Sequence, residues 1–250
     1  MKKKNLKKRL NLNYLDTTNR NFSAGKWDFP VSWCPYIEAL EIDYAALYGD
    51  PSEYERTGRT AIAFYEYDEE WNGRFGLFQS IYFADSNRLE YFRDRFRRSD
   101  GKPPIFLAPD VSQISEVHRI ENLHRYFESR VISNWLVLEC GGLVIPNLTA
   151  ADETYFPDMI EGLEQTEVAS ISMKGHLQDK VKIAFSLKMV RYAAENLPKL
   201  KLLIVFTTSA DRNKIKAMFE GALPSTVKVL VPATRASERN GVLLTRREGL

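Results

Sequence analysis

From Ile81 onward, short apolar runs alternate with longer stretches whose apolar residues recur three to four apart. That alternation predicts successive strand-helix units carrying a mostly parallel sheet. Strands are expected at 80–84, 105–108, 143–145, 167–172, 202–206 and 227–231, with a further one upstream at 61–65. The capping side chains Asp85, Ser86 and Asn87 precede a helix through Leu89, Tyr91, Phe92 and Phe96. A second helix starts near Ser115, runs through Leu123, Tyr126, Phe127 and Val131, and stops at Gly141 and Gly142. Ile183, Leu187, Val190 and Ala194 mark a third over 182–196, which Pro198 closes. Asp211 caps a fourth containing Ile215, Met218 and Phe219, with Gly221 at its end. The stretch around Thr154, Tyr155, Phe156 and Met159 reads as loose. If the 27–47 region adds one more strand, the count favours a (βα) barrel or an incomplete barrel over an open doubly wound sheet.

The 250 residues contain no internal repeat and no Gly/Ser-rich or Pro-rich linker, so we expect a basic arm over 1–20 and one α/β domain over 21–250. Hydrophobic residues make up 44% and charged ones 27%, an ordinary globular balance that excludes a disordered chain. Cys34 and Cys140 are too few for a disulfide framework, and a reducing compartment follows. The positive charges Lys2, Lys3, Lys4, Lys7, Lys8 and Arg9 stand where a secretion signal would need apolar residues. No apolar run of about 18 residues could span a bilayer, so no membrane partner is expected and the cytoplasm is the expected location. The basicity is confined to that arm, which is either a solvated tail or a docking element for nucleic acid or an acidic protein. An arginine-rich helix at 88–98 and Arg246-Arg247 add to the second possibility.

Ligands of parallel α/β sheets bind where the strands end at their carboxyl side. That rule selects Asp85, Asp110, Ser112, Asn147, Thr149, Ser172, Lys174, Thr207, Thr208, Ser209 and Thr234, many of which would serve equally as caps or turn residues. Asp110 and Asn147 each follow a proline that fixes the local backbone. Lys174-Gly175 combines a cation with a residue permitting close approach of an anion, and His176 adds a candidate acid or base. No Walker loop, dinucleotide fingerprint or nucleophile elbow is present, so no cofactor is specified. His118 and His124 are six apart, about 240° around a helix, and share no metal.

The order Phe22-x-x-Gly25-x-Trp27-x-Phe29-Pro30, Ile81-Tyr82-Phe83-x-Asp85, Pro109-Asp110-x-Ser112, Ile145-Pro146-Asn147 with Thr154-Tyr155, and Ser170-Ile171-Ser172-x-Lys174-Gly175 resembles an uncharacterised family of phage and mobile-element proteins. The resemblance covers roughly residues 20 to 235. It implies a mobile-element context and brings no activity, cofactor or catalytic residue with it.

Two functions follow as expectations. One is an accessory protein that binds nucleic acid or a host protein through the arm, helped by an exposed patch of Trp27, Phe29 and Trp33. The other is a binder of, or enzyme on, a phosphate-bearing small molecule such as a nucleotide. In that second case Asp110 would act as acid or base, Asn147 would orient the substrate and Lys174 would offset developing negative charge. The first is slightly favoured, because no catalytic constellation is specific enough to require the second. Catalysis and oligomeric state are left open by the sequence.

Overall fold

A computed structural model describes residues 8–9, 23–27, 29–37, 61–62, 83–84, 105–108, 113–138, 142–232 and 240–241. Its parallel strands succeed one another in chain order. The strand β4 (Ala61–Ile62) pairs with β6 (Ile105–Leu107), and β6 with β7 (Leu143–Ile145). Likewise β8 (Val168–Ser172) pairs with β9 (Leu202–Phe206), and β9 with β10 (Lys228–Leu230). An isolated parallel bridge between Asn147 and Ser170 links β7 to β8.

Between these strands lie α1 (Arg119–Leu138), α2 (Phe156–Ile160), α3 (Lys180–Asn196) and α4 (Arg212–Glu220). Local chemistry sets their ends. The Asp179 carboxylate accepts from the N–H groups of Val181 and Lys182, and Asp211 does the same for Lys214, so the first orphan amides of α3 and α4 are satisfied. The stretch expected to be loose at 154–159 is instead a 3-10 turn, Glu153–Tyr155, leading into α2. Asp152 caps that turn through Thr154, and Pro157 sits in the first helical turn, where its missing N–H costs nothing.

Two regions depart from the expected strand-helix series. Of the strand expected at 80–84, the described residues form β5 (Phe83–Ala84), which runs antiparallel to β1 (Lys8–Arg9) in the basic arm and does not stand between β4 and β6, which pair directly. The 27–47 region adds no parallel strand among the described residues. Instead β2 (Ser23–Ala24) and β3 (Phe29–Pro30) form a short antiparallel hairpin, and residues 31–37 follow without sheet pairing. Pro30 and Pro35 explain part of this, because neither has an N–H to give to a ladder. The helix expected after Asp85, the remainder of the arm, Cys140 and Arg246-Arg247 lie outside the described residues.

The strand period of two divides the core cleanly. Ala169, Ile171, Leu203, Val205 and Val229 pack with Tyr126, Met159, Met189, Val190, Ile215 and Phe219, so all four helices lie over one face. On the other face, Ile105, Leu107, Ile145, Val168, Leu202, Ile204 and Phe206 pack together with Cys34 and Ile37. Among the described residues this second face is covered by the 34–37 segment rather than by helices. Burial pushes the Cys34 thiol up to about 12, so it behaves as a small apolar group rather than a nucleophile.

The covering segment is held by hydrogen bonds to the start of β8. Thr166 accepts from the Cys34 N–H at 3.0 Å through its hydroxyl and donates to the Val168 carbonyl at 2.9 Å. Glu167 accepts from the Tyr36 N–H at 2.8 Å and pairs with Lys201. Thr166→Val keeps the volume but strands a buried N–H and a buried carbonyl, and we expect a loss of about 1–3 kcal/mol in denaturant unfolding. The Lys201 ammonium and the Tyr36 N–H hold the Glu167 carboxyl below its ordinary value of 4.5. A depressed folded pKa stabilises above the unfolded value, and the effect fades as pH falls through the folded one. Glu167→Gln should therefore be less stable than the parent at pH 7, and the two melting curves should converge as pH is lowered below about 4.

Candidate functional site

Along the strands the residues change character toward the carboxyl ends. On β8 the face that carries Val168 continues as Ser170 and Ser172, and on β7 the residue two beyond Ile145 is Asn147. The polar ends of these two adjacent strands open into two adjoining depressions.

The larger is a cavity of about 210 Å³ lined by Thr149, Ser172, Lys174 and His176, with Leu148, Ala150 and Gln113 beside them. Phe185 and Met189 of α3 form its apolar wall. Lys174 and His176 sit on a turn that leaves β8, closed by the His176 N–H donating to the Met173 carbonyl at 3.1 Å. Gly175 occupies the turn position that needs a positive φ, here 77°, and no atom lies within 4 Å of where its Cβ would be. Its role is thus to make the turn that presents Lys174 and His176. Ser186 of α3, fully buried, shares a hydrogen bond of 3.2 Å with His176 Nδ1 and orients the ring. The Ser172 hydroxyl accepts from the Lys174 N–H at 3.3 Å. Among the described residues no carboxylate lines this cavity, and Lys174 brings a cation to it.

The smaller depression is a cleft of about 10 Å³ between α1 and the ends of β6 and β7, in which Asn147 meets Arg125 and Arg130, and which shares Gln113 and Thr149 with the cavity. The Ser170 hydroxyl lies 3.1 Å from the Pro146 carbonyl and 3.4 Å from Asn147 Oδ1. Tyr126 donates its hydroxyl to the Thr149 carbonyl at 2.8 Å, and burial raises that phenol's pKa so that it stays a donor. Arg130 is buried, and its Nη2 donates to the carbonyls of Met159 and Glu161 at 3.0 and 3.4 Å. Burial lowers the guanidinium to about 10, which leaves it cationic at neutral pH.

Of the residues expected at the site, Thr149, Ser172, Lys174 and His176 therefore share one cavity and Asn147 lies in the cleft next to it. Thr208 and Ser209 line neither depression. They belong to the turn after β9, where Thr207 Oγ1 accepts from the Ser209 N–H, the Ser209 hydroxyl accepts from the Asp211 N–H, and Asn240 donates to the Thr208 carbonyl. Asp85, Asp110, Ser112 and Thr234 lie outside the described residues. Gln113, Arg125 and Arg130 were not anticipated. For Arg130 a signal existed, since Leu123, Tyr126 and Arg130 recur at helical spacing and place a charge on the buried stripe of α1.

The three histidines are dispersed, and no group of three metal-ligating side chains occurs among the described residues. No described helix is long and apolar enough to cross a membrane. No family model, curated protein or solved structure matches this chain.

Because a Cβ at position 175 meets open space, the cost of Gly175→Ala is conformational alone. We expect a loss of about 1 kcal/mol in stability, and a smaller loss for Gly175→Asn, which tolerates the left-handed region better.

Proposed function

We propose that this chain binds a small phosphate-bearing molecule in the cavity at the carboxyl ends of β7 and β8. The observation that carries the proposal is the convergence of Lys174, His176, Ser172 and Thr149 on one cavity, with no carboxylate among its described lining residues. Lys174 supplies the positive charge, the two hydroxyls and the imidazole supply directional hydrogen bonds, and Phe185 and Met189 take the carbon skeleton. At about 210 Å³ the cavity is smaller than the roughly 300–1,000 Å³ of sites for drug-sized ligands, which favours a phosphate ester of a few carbons over a whole nucleotide.

The scaffold of the proposal is a (βα) barrel or an incomplete one. Two features support it: the parallel strands follow chain order, and the described helices lie over a single face, whereas a doubly wound sheet places helices on both. Docking through an aromatic patch draws less support. Phe29 is buried, and Trp27 donates its Nε1–H to Asp158 at 2.7 Å, so of that trio Trp33 alone is broadly exposed. A mobile-element accessory role for the basic arm is compatible with this ligand site and independent of it.

The test is thermal unfolding of the full chain with inorganic phosphate, glycerol 3-phosphate and AMP. A ligand at a hundred times its Kd adds about 2.7 kcal/mol to stability. We expect a rise in Tm with glycerol 3-phosphate, a smaller one with AMP, and loss of both in Lys174→Glu. A chain whose Tm ignores all three compounds, or responds equally in Lys174→Glu, does not use this site.

A further inference from the structure

The buried guanidinium of Arg130 is unusual in what it lacks. It is 6% exposed, yet no carboxylate among the described residues forms an ion pair with it, and its hydrogen bonds to described residues all run through Nη2 to the two carbonyls of α2 and the turn after it. The carboxylates of Glu164 and Glu161 act on its charge without forming an ion pair with it, and its buried N–H groups still need acceptors. Nε and Nη1 carry further N–H groups that no described residue accepts. The side chain lines the small cleft, where Arg125 brings a second guanidinium, itself bonded to Glu121 at 3.1 Å. Asn147 lines the same cleft.

The cleft has room for about one oxygen atom, the scale of a single water. It adjoins the ligand cavity, with Gln113 and Thr149 lining both. A planar carboxylate can insert one oxygen into such a space with little bulk behind it, and guanidinium groups are the natural partners of carboxylate oxygens.

We infer that the ligand carries a second anionic group, a carboxylate, one oxygen of which enters the cleft against Arg130 and Arg125 while its phosphate lies over Lys174 and His176. The inference rests on the phosphate reading of the cavity and narrows it to small molecules bearing both a phosphate and a carboxylate. Arg130 then has two tasks, tying α1 to α2 through Nη2 and recognising the ligand through its remaining donors.

Two probes separate these claims. Glycerol 3-phosphate and 3-phosphoglycerate have the same number of carbons and the same phosphate, and only the second has a carboxylate. Titration calorimetry of the full chain should give at least a tenfold lower Kd for 3-phosphoglycerate. In Arg125→Gln, whose side chain is partly exposed and whose loss the fold should tolerate, the ratio should fall to between one and three while the Kd for glycerol 3-phosphate is unchanged. Arg130→Met, which fills the space without the charge, should do the same if it folds. Lys174→Ala should weaken both compounds together. Equal affinities in the parent protein, or a tenfold ratio that survives Arg125→Gln, would overturn the carboxylate subsite and leave the phosphate site standing. Binding of neither compound overturns both.

Discussion

Two backbone hydrogen bonds join the halves of the parallel row. The Ser170 N–H donates to the Pro146 carbonyl at 2.8 Å, and the Leu148 N–H donates to the Ser170 carbonyl at 2.7 Å. On one side of this junction are β4, β6 and β7, and on the other β8, β9 and β10. Everything assigned to the ligand depends on it, because the cavity takes Leu148, Thr149 and Ala150 from the strand on one side and Ser172, Lys174 and His176 from the other. Separation of these strands by even an ångström or two would dissolve the site while leaving each three-stranded sheet intact. The wall residues Phe185 and Met189 reinforce the junction, since Met189 belongs to the core shared with Leu148 and Ile171.

The site also depends on how charge is distributed around the junction. Among the described residues, His176 is bonded to the Ser186 hydroxyl, Arg130 to peptide carbonyls and the Thr149 carbonyl to the Tyr126 phenol, whereas Arg125 pairs with Glu121. Acids occur close by but face elsewhere. Asp158 is occupied by Trp27 Nε1 and by Arg119, whose guanidinium also lies 4.7 Å from the Tyr155 ring centre. The Glu161 carboxylate accepts from the Trp27 N–H at 2.6 Å. The hairpin of β2 and β3 thus draws two carboxylates toward the N-terminal segment. The Glu164 and Glu161 charges still act on Arg130, which forms no ion pair with a described carboxylate.

Much of this architecture was legible in the chain because it rests on local patterning. Apolar runs located β8, β9 and β10, the spacing of Ile183, Leu187, Val190 and Ala194 announced α3, and Asp211 announced α4, since a cap needs only the residues next to it. The strand-end rule drew attention to Thr149, Ser172 and Lys174, and the Lys174-Gly175 turn to His176, and these four line one cavity. It also drew in Thr208 and Ser209, because a hydroxyl that satisfies its own turn and one that faces a ligand have the same signature in sequence. Phe83–Ala84 was assigned to the parallel row on apolar character alone, and nothing local in those residues discloses that their partner lies in the basic arm. Arg125 and Arg130 went unnoticed because a helix-borne charge is ordinarily solvated, and only tertiary contacts with Met159 and Glu161 reveal that one of them is buried.

One residue connects the shape of the sheet to the opening of the site. Along β8, Val168 and Ser170 present their backbone groups to β7, while Ala169 and Ile171 present theirs to β9. A continuous β7–β8 ladder would have the residue at 146 donate its N–H to the Val168 carbonyl. Proline has no N–H, so the pairing shrinks to the single bridge at Asn147 and Ser170. The vacated acceptor is buried and must be satisfied, and Thr166 does so with its hydroxyl at 2.9 Å. That same hydroxyl accepts from Cys34, which brings the 34–37 segment across the helix-free face of the sheet. The proline therefore does two things at once. It limits the strand pairing so that Asn147 and the loop after it turn away into the cleft and cavity, and it creates the acceptor whose satisfaction closes the opposite face. A sheet that kept its donor at 146 would gain a rung, and the Thr166 hydroxyl would lose its acceptor on β8.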